Sequence, residues 1–155
     1  MARSLLIAEQ VKKDMETMSA AALPCETGGI LVGVKARRGI WIVGAVELAE
    51  KRSPGHYTVP KDATKPAVRY AQETIDSRVG YVGEWHSHTG DFGPSSRDRA
   101  TMRAIAWFGS RLGPAAPCFV LVRNTANGWC LDGFQARFTQ LRRVPLLATG
   151  PLPPR

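Results

Sequence analysis

Two continuous apolar runs, Gly28-Gly29-Ile30-Leu31-Val32-Gly33-Val34 and Ile40-Trp41-Ile42-Val43-Gly44-Ala45-Val46, flank a short Arg37-Arg38-Gly39 break. Apolar runs of this length bounded by turn residues predict buried strands, and the break predicts a hairpin turn. Ahead of them, Leu6, Ile7, Val11, Met15 and Met18 recur at three- and four-residue steps. That spacing predicts an amphipathic helix over residues 5–21, which Pro24 ends. Residues 49–62 lack periodicity and predict a loop. Val68, Ala71, Ile75 and Val79 predict a helix over 63–78, after which residues 79–88 return to strand composition. Pro94-Ser95-Ser96 opens a further helix with Met102, Ile105, Ala106 and Phe108 on its apolar side. Residues 118–122 predict a strand, and Asn127-Gly128 a hairpin leading into residues 129–138. Val144, Leu146 and Leu147 precede a Pro-rich tail expected to be frayed. With no internal repeat and no dividing linker, a single domain over residues 1–148 and a tail over 149–155 are expected.

Composition narrows the class. The 44% apolar content of the 155 residues is too high for a disordered chain. A net charge of +8 directs attention to nucleic acid, an anionic membrane or an acidic protein partner. Cys25, Cys118 and Cys130 are odd in number, sparse, and form no CxxC-type zinc pattern, which favours a reducing compartment. No apolar run reaches the roughly 18 residues of a membrane span. The first residues turn polar at Glu9, Lys12, Lys13 and Asp14, unlike a signal peptide. A cytoplasmic location without membrane contact is expected.

The chemistry concentrates in Gly83-Glu84-Trp85-His86-Ser87-His88 and Pro94-Ser95-Ser96-Arg97-Asp98. In a strand, residues two apart project to one face, so His86 and His88 present two imidazoles side by side. Neutral imidazole is a common zinc ligand, and Asp98, in the first turn of the next helix, offers a carboxylate as third. Three protein ligands leave a fourth position for water, the catalytic rather than the structural arrangement. Ser95 and Asp98 also fit the N-cap of a helix. Glu84 shares the face of the histidines as a fourth ligand, a base or a polar strand residue. His56 stands alone in the loop and is expected at the surface.

Glu26-Thr27-Gly28-Gly29-Ile30-Leu31-Val32-Gly33, then His86-Ser87-His88, then Ser95-Ser96-Arg97-Asp98, resembles the JAMM (MPN-plus, or JAB) zinc metalloprotease family in its short prokaryotic form. The resemblance implies an α/β (α+β) MPN/JAB fold of the cytidine-deaminase-like kind: a mixed, curved β-sheet flanked by helices. It implies one zinc ion held by His86, His88 and Asp98. Glu26 is then the general base, and Ser95 a hydrogen-bond donor to the oxyanion. Two positions depart from the family pattern. Thr89 stands where a proline is usual, and the interval from His88 to Ser95 is one residue shorter. Gly90 and Gly93 give that loop the freedom to keep the ligand geometry.

The implied activity is cleavage after the C-terminal tail of a ubiquitin-like or sulfur-carrier protein, by deconjugation or precursor processing. Activating and conjugating enzymes of that modifier are the implied further partners. Some prokaryotic relatives belong to antiphage defence operons. Gly28, Gly29, Thr89 and Gly90 are candidates for substrate contact, with residues 49–62 and 89–94 framing the channel. Two alternatives are a basic nucleic-acid-binding module and a metal-free scaffold. The basic residues are scattered, and no nucleic-acid motif or aromatic platform accompanies them. A zinc deaminase needs a PCxxC segment, which neither Cys118 nor Cys130 provides.

Overall fold

The computed structural model describes residues 4–36, 39–112, 116–137 and 140–155, the side chains of residues 108–112 and 137 excepted. In chain order its elements are β1 (Ser4–Ala8), α1 (Glu9–Ala22), β2 (Gly28–Ala36), β3 (Gly39–Glu47), β4 (Glu50–Ser53) and β5 (His56–Thr58). They continue as α2 (Thr64–Thr74), β6 (Gly80–His88), α3 (Ser96–Leu112), β7 (Cys118–Thr125), β8 (Gly128–Arg137), β9 (Gln140–Val144) and β10 (Leu146–Thr149). Eight strands form one mixed sheet in the order β10-β1-β3-β2-β6-β7-β8-β9, and β4 pairs with β5 separately. The two end strands, β9 and β10, are consecutive in the chain and joined through Pro145. The sheet therefore curls until its ends approach, and the N–H of Leu5 donates to the carbonyl of Pro145 at 2.8 Å.

Alternation along each strand separates two packed faces. On β2, Leu31 joins Leu5, Ile7, Ile42 and Trp85 beneath Val11 and Met15 of α1. Ile30 and Val32 point the other way, against Ala67 and Ala71 of α2. On β7, Val120 and Val122 belong to the α1 face, whereas Phe119 and Leu121 meet Met102 and Ala106 of α3. Each large side chain buried this way contributes about 1.5–3 kcal/mol. The register between β2 and β6 shifts at Leu31/Val32, skipping Val82. That bulge re-phases the strand. Val82 and Trp85 consequently share the α1 face although three residues apart, and Glu84, His86 and His88 project to the face that carries α3.

The mixed, curved sheet flanked by helices is the expected one, and four local readings are corrected. Residues 4–8 are not the start of the first helix. They form β1, parallel to both β3 and β10, because alternating Leu5 and Ile7 are wanted in the core and a short apolar run is compatible with either element. The helix expected over 63–78 ends at Thr74, and Val79 enters the core from the turn before β6. The loop expected over 49–62 contains the β4–β5 hairpin. Val144, Leu146 and Leu147 lie in β9 and β10, and beyond them the Pro153 carbonyl accepts a hydrogen bond from Arg78 at 2.8 Å instead of fraying free. The Arg37-Arg38 turn and Phe138 lie outside the described residues, as does the side chain of Phe108.

Candidate metal centre and active site

β6 and β7 run parallel, with His88 opposite Arg123, so both strands end at the same side of the sheet. The chain leaves β6 after His88, makes a seven-residue excursion and enters α3 there. Ser95 caps that helix. Its hydroxyl oxygen accepts from the N–H of Asp98 at 3.1 Å, and the Asp98 carboxylate accepts from the N–H of Ser95 at 2.7 Å. This is a reciprocal capping box, and it fixes the Asp98 side chain by the same bonds that start the helix. The helix-cap and metal-ligand readings of Ser95-Ser96-Arg97-Asp98 thus describe one arrangement.

The Asp98 carboxylate faces both histidines. His88 Nε2 lies 3.1 Å from Asp98 Oδ2, His86 Nε2 lies 3.4 Å from Asp98 Oδ1, and the two Nε2 atoms are 3.2 Å apart. Four ligand atoms placed tetrahedrally at about 2.1 Å from a zinc ion would stand about 3.4 Å from one another. The two imidazole nitrogens and the nearer carboxylate oxygen of each pair stand at about that spacing, and one ligand atom from each residue lies within 4.8 Å of the others. The chemistry agrees as well. His88 Nδ1 lies 2.9 Å from the carbonyl oxygen of Phe92, and a carbonyl only accepts, so Nδ1 carries the proton and directs the lone pair of Nε2 to the centre. Nitrogen lone pairs and a carboxylate converging on one point are what a bound cation satisfies. Among the described residues, His86, His88 and Asp98 are the group that could hold a metal ion.

Electrostatics follow the same geometry. Burial alone would raise Asp98, but the facing imidazoles of His86 and His88 and the Ser95 N–H hold its carboxyl well below the usual range. Burial works against a charged His88, yet Asp98 and the Phe92 carbonyl raise it. Glu26 is buried, which raises its carboxyl, with His88 and His86 pulling the other way. Its backbone N–H is tied to the carbonyl of Ser53 at 3.0 Å, anchoring it to the β4–β5 hairpin.

A cleft of about 320 Å³ opens over this group, between α3 and the hairpin. Glu26, His86, His88, Ser95 and Asp98 all line it. Glu84 lines it too, away from the three ligands, with Tyr81 Oη 3.4 Å from its Oε1 and its carboxyl raised by burial. His56 is exposed as expected, but it stands at the rim of the cleft within electrostatic reach of Glu26. Gly28 lies against the Tyr57 hydroxyl and the Trp85 carbonyl, Gly29 against the backbone of Val46 and Leu48, and Gly90 makes room for the Phe92 ring, which a Cβ there would meet at 2.8 Å. Thr89 is held at its carbonyl by Asn124 Nδ2 at 3.4 Å.

Tyr57 was not singled out by sequence. Its phenol lies in the cleft against Gly28, and burial together with Glu84, Glu26 and Asp98 raises it far above the ordinary value. No periodic pattern marks a residue whose strand is three residues long, so the only available signal was its place beside His56 in a Gly-Pro-rich stretch.

Comparison with curated proteins gives no match. Among solved structures, protein DSY2949 from Desulfitobacterium hafniense has a TM-score of 0.73 at 17% identity, covering 96% of this chain and 94% of that one. That likeness is one of fold. The sequence over residues 8–132 matches the family described as prokaryotic homologues of the JAB domain. With the nearly closed sheet and the two-histidine, one-aspartate group in place, the chain belongs to the prokaryotic JAB-domain family.

Proposed function

We propose that the chain is a zinc-dependent peptidase or isopeptidase acting after the C-terminal tail of a ubiquitin-like or sulfur-carrier protein. The observation that carries this reading is the convergence of His86, His88 and Asp98, with one ligand atom of each within 4.8 Å of the others, and the buried Glu26 in the same cleft. A zinc ion held there supplies Lewis acidity, which polarises a peptide carbonyl and brings the pKa of water from 15.7 to about 7. Glu26 takes the proton of the attacking water on a carboxylate oxygen and passes it to the departing amine nitrogen. Burial raises its carboxyl above the ordinary value, the direction that favours taking up a proton. The Ser95 hydroxyl uses a lone pair on the Asp98 N–H, so its own proton is left to donate to the carbonyl oxygen as negative charge develops.

An extended substrate tail would pass apolar residues of the cleft on its way to the polar group. Val59, Met102, Ile105 and Phe119 line it beside the polar group, offering an apolar path to the bond that is cut. Partners of the reaction are the modifier itself and, where it is conjugated, its activating and conjugating enzymes. Neighbouring genes distinguish deconjugation, including that of an antiphage conjugation system, from trimming of a sulfur-carrier precursor.

The test is release of a C-terminal extension from the cognate modifier by purified, zinc-loaded protein. Glu26→Gln is expected to lower kcat by about 10²–10⁴-fold while one zinc per chain is retained, and a chelator is expected to abolish turnover. Full activity of Glu26→Gln, or activity indifferent to chelator, overturns the mechanism.

A further inference from the structure

The segment between His88 and Ser95 is short, with glycines at 90 and 93, yet it supplies the carbonyl of Phe92 that fixes the His88 ring. Something else must hold it. Two consecutive residues at the end of β7 do so. Asn124 Nδ2 donates to the carbonyl of Thr89 at 3.4 Å. Arg123 pairs through Nη1 with the carboxylate of Asp91, the residue immediately before Phe92. Arg123 is itself immobilised, because its Nε donates to the buried carboxylate of Asp132 and its other terminal nitrogen lies 3.2 Å from Cys130 Sγ. Asp132 is anchored in turn by Arg143. The parallel pairing of β6 with β7, with His88 opposite Arg123, is what brings the guanidinium to the loop.

We infer that Arg123, braced by Asp132 and acting through Asp91, is a positioning residue for the metal ligand His88, holding by an ion-pair clamp a loop that glycines at 90 and 93 leave free. The route is continuous: Asp132 to Arg123, Arg123 to Asp91, the Asp91–Phe92 peptide, and the Phe92 carbonyl to His88 Nδ1. The Phe92 ring also stacks on His88, with centroids 4.5 Å apart, so displacement of the loop removes two restraints on the imidazole at once. Partners that orient a ligating histidine commonly change metal affinity by about 10–100-fold when removed. An ion pair on an exposed aspartate with no such role contributes next to nothing. Asp91 is 57% exposed, which makes the two outcomes easy to separate.

The inference rests on His86, His88 and Asp98 binding a metal, and the experiment separates the two claims. Co²⁺ is titrated into the metal-free full chain and followed by its visible d–d absorption, and the imidazole N–H of His88 is followed by NMR before metal is added. Asp91→Ala and Arg123→Gln are each expected to weaken Co²⁺ binding by about 10-fold or more, to alter the d–d band, and to weaken or erase the protected Nδ1–H signal. The double variant is expected to be no worse than Arg123→Gln alone, since both act on one clamp. Arg123→Lys, which keeps a cation facing Asp91, is expected to recover part of the affinity. If Arg123→Gln does not fold, Asp91→Ala decides alone. Wild-type affinity together with an unchanged Nδ1–H signal in Asp91→Ala overturns the clamp. A wild-type chain that takes up no Co²⁺ overturns the proposed metallopeptidase instead, and the imidazole signal of the metal-free variants still decides the clamp.

Discussion

Ser95 serves the fold and the site with one hydroxyl. Its oxygen caps α3 through the Asp98 N–H, and the same group faces the cleft. Two variants separate the roles. Ser95→Ala is expected to cost about 1 kcal/mol of stability and Ser95→Gly only a few tenths, since glycine is tolerated at an N-cap. Both should lose about 10²–10³-fold in kcat if the hydroxyl assists the oxyanion. Thermal melts and turnover on the two proteins check this, and equal activity of Ser95→Ala with wild type removes Ser95 from the chemistry. Asp132, which braces Arg123, also contributes to stability. Burial alone would raise its carboxyl, but hydrogen bonds from Arg123 and Arg143 hold it below the ordinary value. A lowered folded-state pKa stabilises the protein above the unfolded value of about 3.9, and that contribution disappears as pH falls through the folded value. Asp132→Asn is therefore expected to cost about 1.5–3 kcal/mol at pH 7, and the gap to wild type should narrow below about pH 4. Urea unfolding at both pH values measures it.

The β4–β5 hairpin is the element whose role exceeds its size. It binds the Glu26 backbone through Ser53 and places Tyr57 against Gly28. Thr27 is held nearby, with its hydroxyl donating to Glu47 Oε1 at 2.9 Å, and Glu47 pairs with Arg52 of the hairpin. A Cβ at position 28 would collide with the Tyr57 hydroxyl and the Trp85 carbonyl, and one of these is backbone. Gly28→Ala is therefore expected to cost about 1–3 kcal/mol and to lower activity by moving the hairpin, with zinc stoichiometry intact. Gly55→Ala, at a position where a Cβ meets nothing, is the control. Short elements of this kind left little trace in the sequence. β4 and β5 have four and three residues, fewer than a periodicity needs to declare itself. The long elements α1, β2, β3, α3 and β7 were legible because each carries an apolar stripe or run of several residues.

At the scale of the molecule, the +8 charge is an excess that ion pairs do not reduce, since each joins one cation to one carboxylate. Arg52, Arg78, Arg123 and Arg143 all face carboxylates. Arg97 lines the cleft and Arg142 is exposed on β9, and these are residues through which an acidic substrate of the proposed activity would dock. KM for the modifier is then expected to rise between about 0.1 M and 1 M salt, as the screening length falls from about 10 to 3 Å, while kcat holds. Arg142→Glu should move KM in the same direction, and steady-state kinetics at several salt concentrations check both. Among the described residues, no helix is long and apolar enough to cross a membrane. The sequence by itself determined that His86 and His88 share one face of a strand, that Ser95 and Asp98 begin the next helix, and that the apolar runs at 28–34 and 40–46 form strands. Each is written in residues close together, where strand alternation or a helix cap sets the geometry. Only the tertiary structure decided that β1, β9 and β10 join the sheet and nearly close it, that Tyr57 shares the cleft, and that Arg123 reaches the loop behind His88. Those facts depend on which distant segments become neighbours, and the pairing of strands many residues apart is set by the packing of the whole core, which no local pattern encodes.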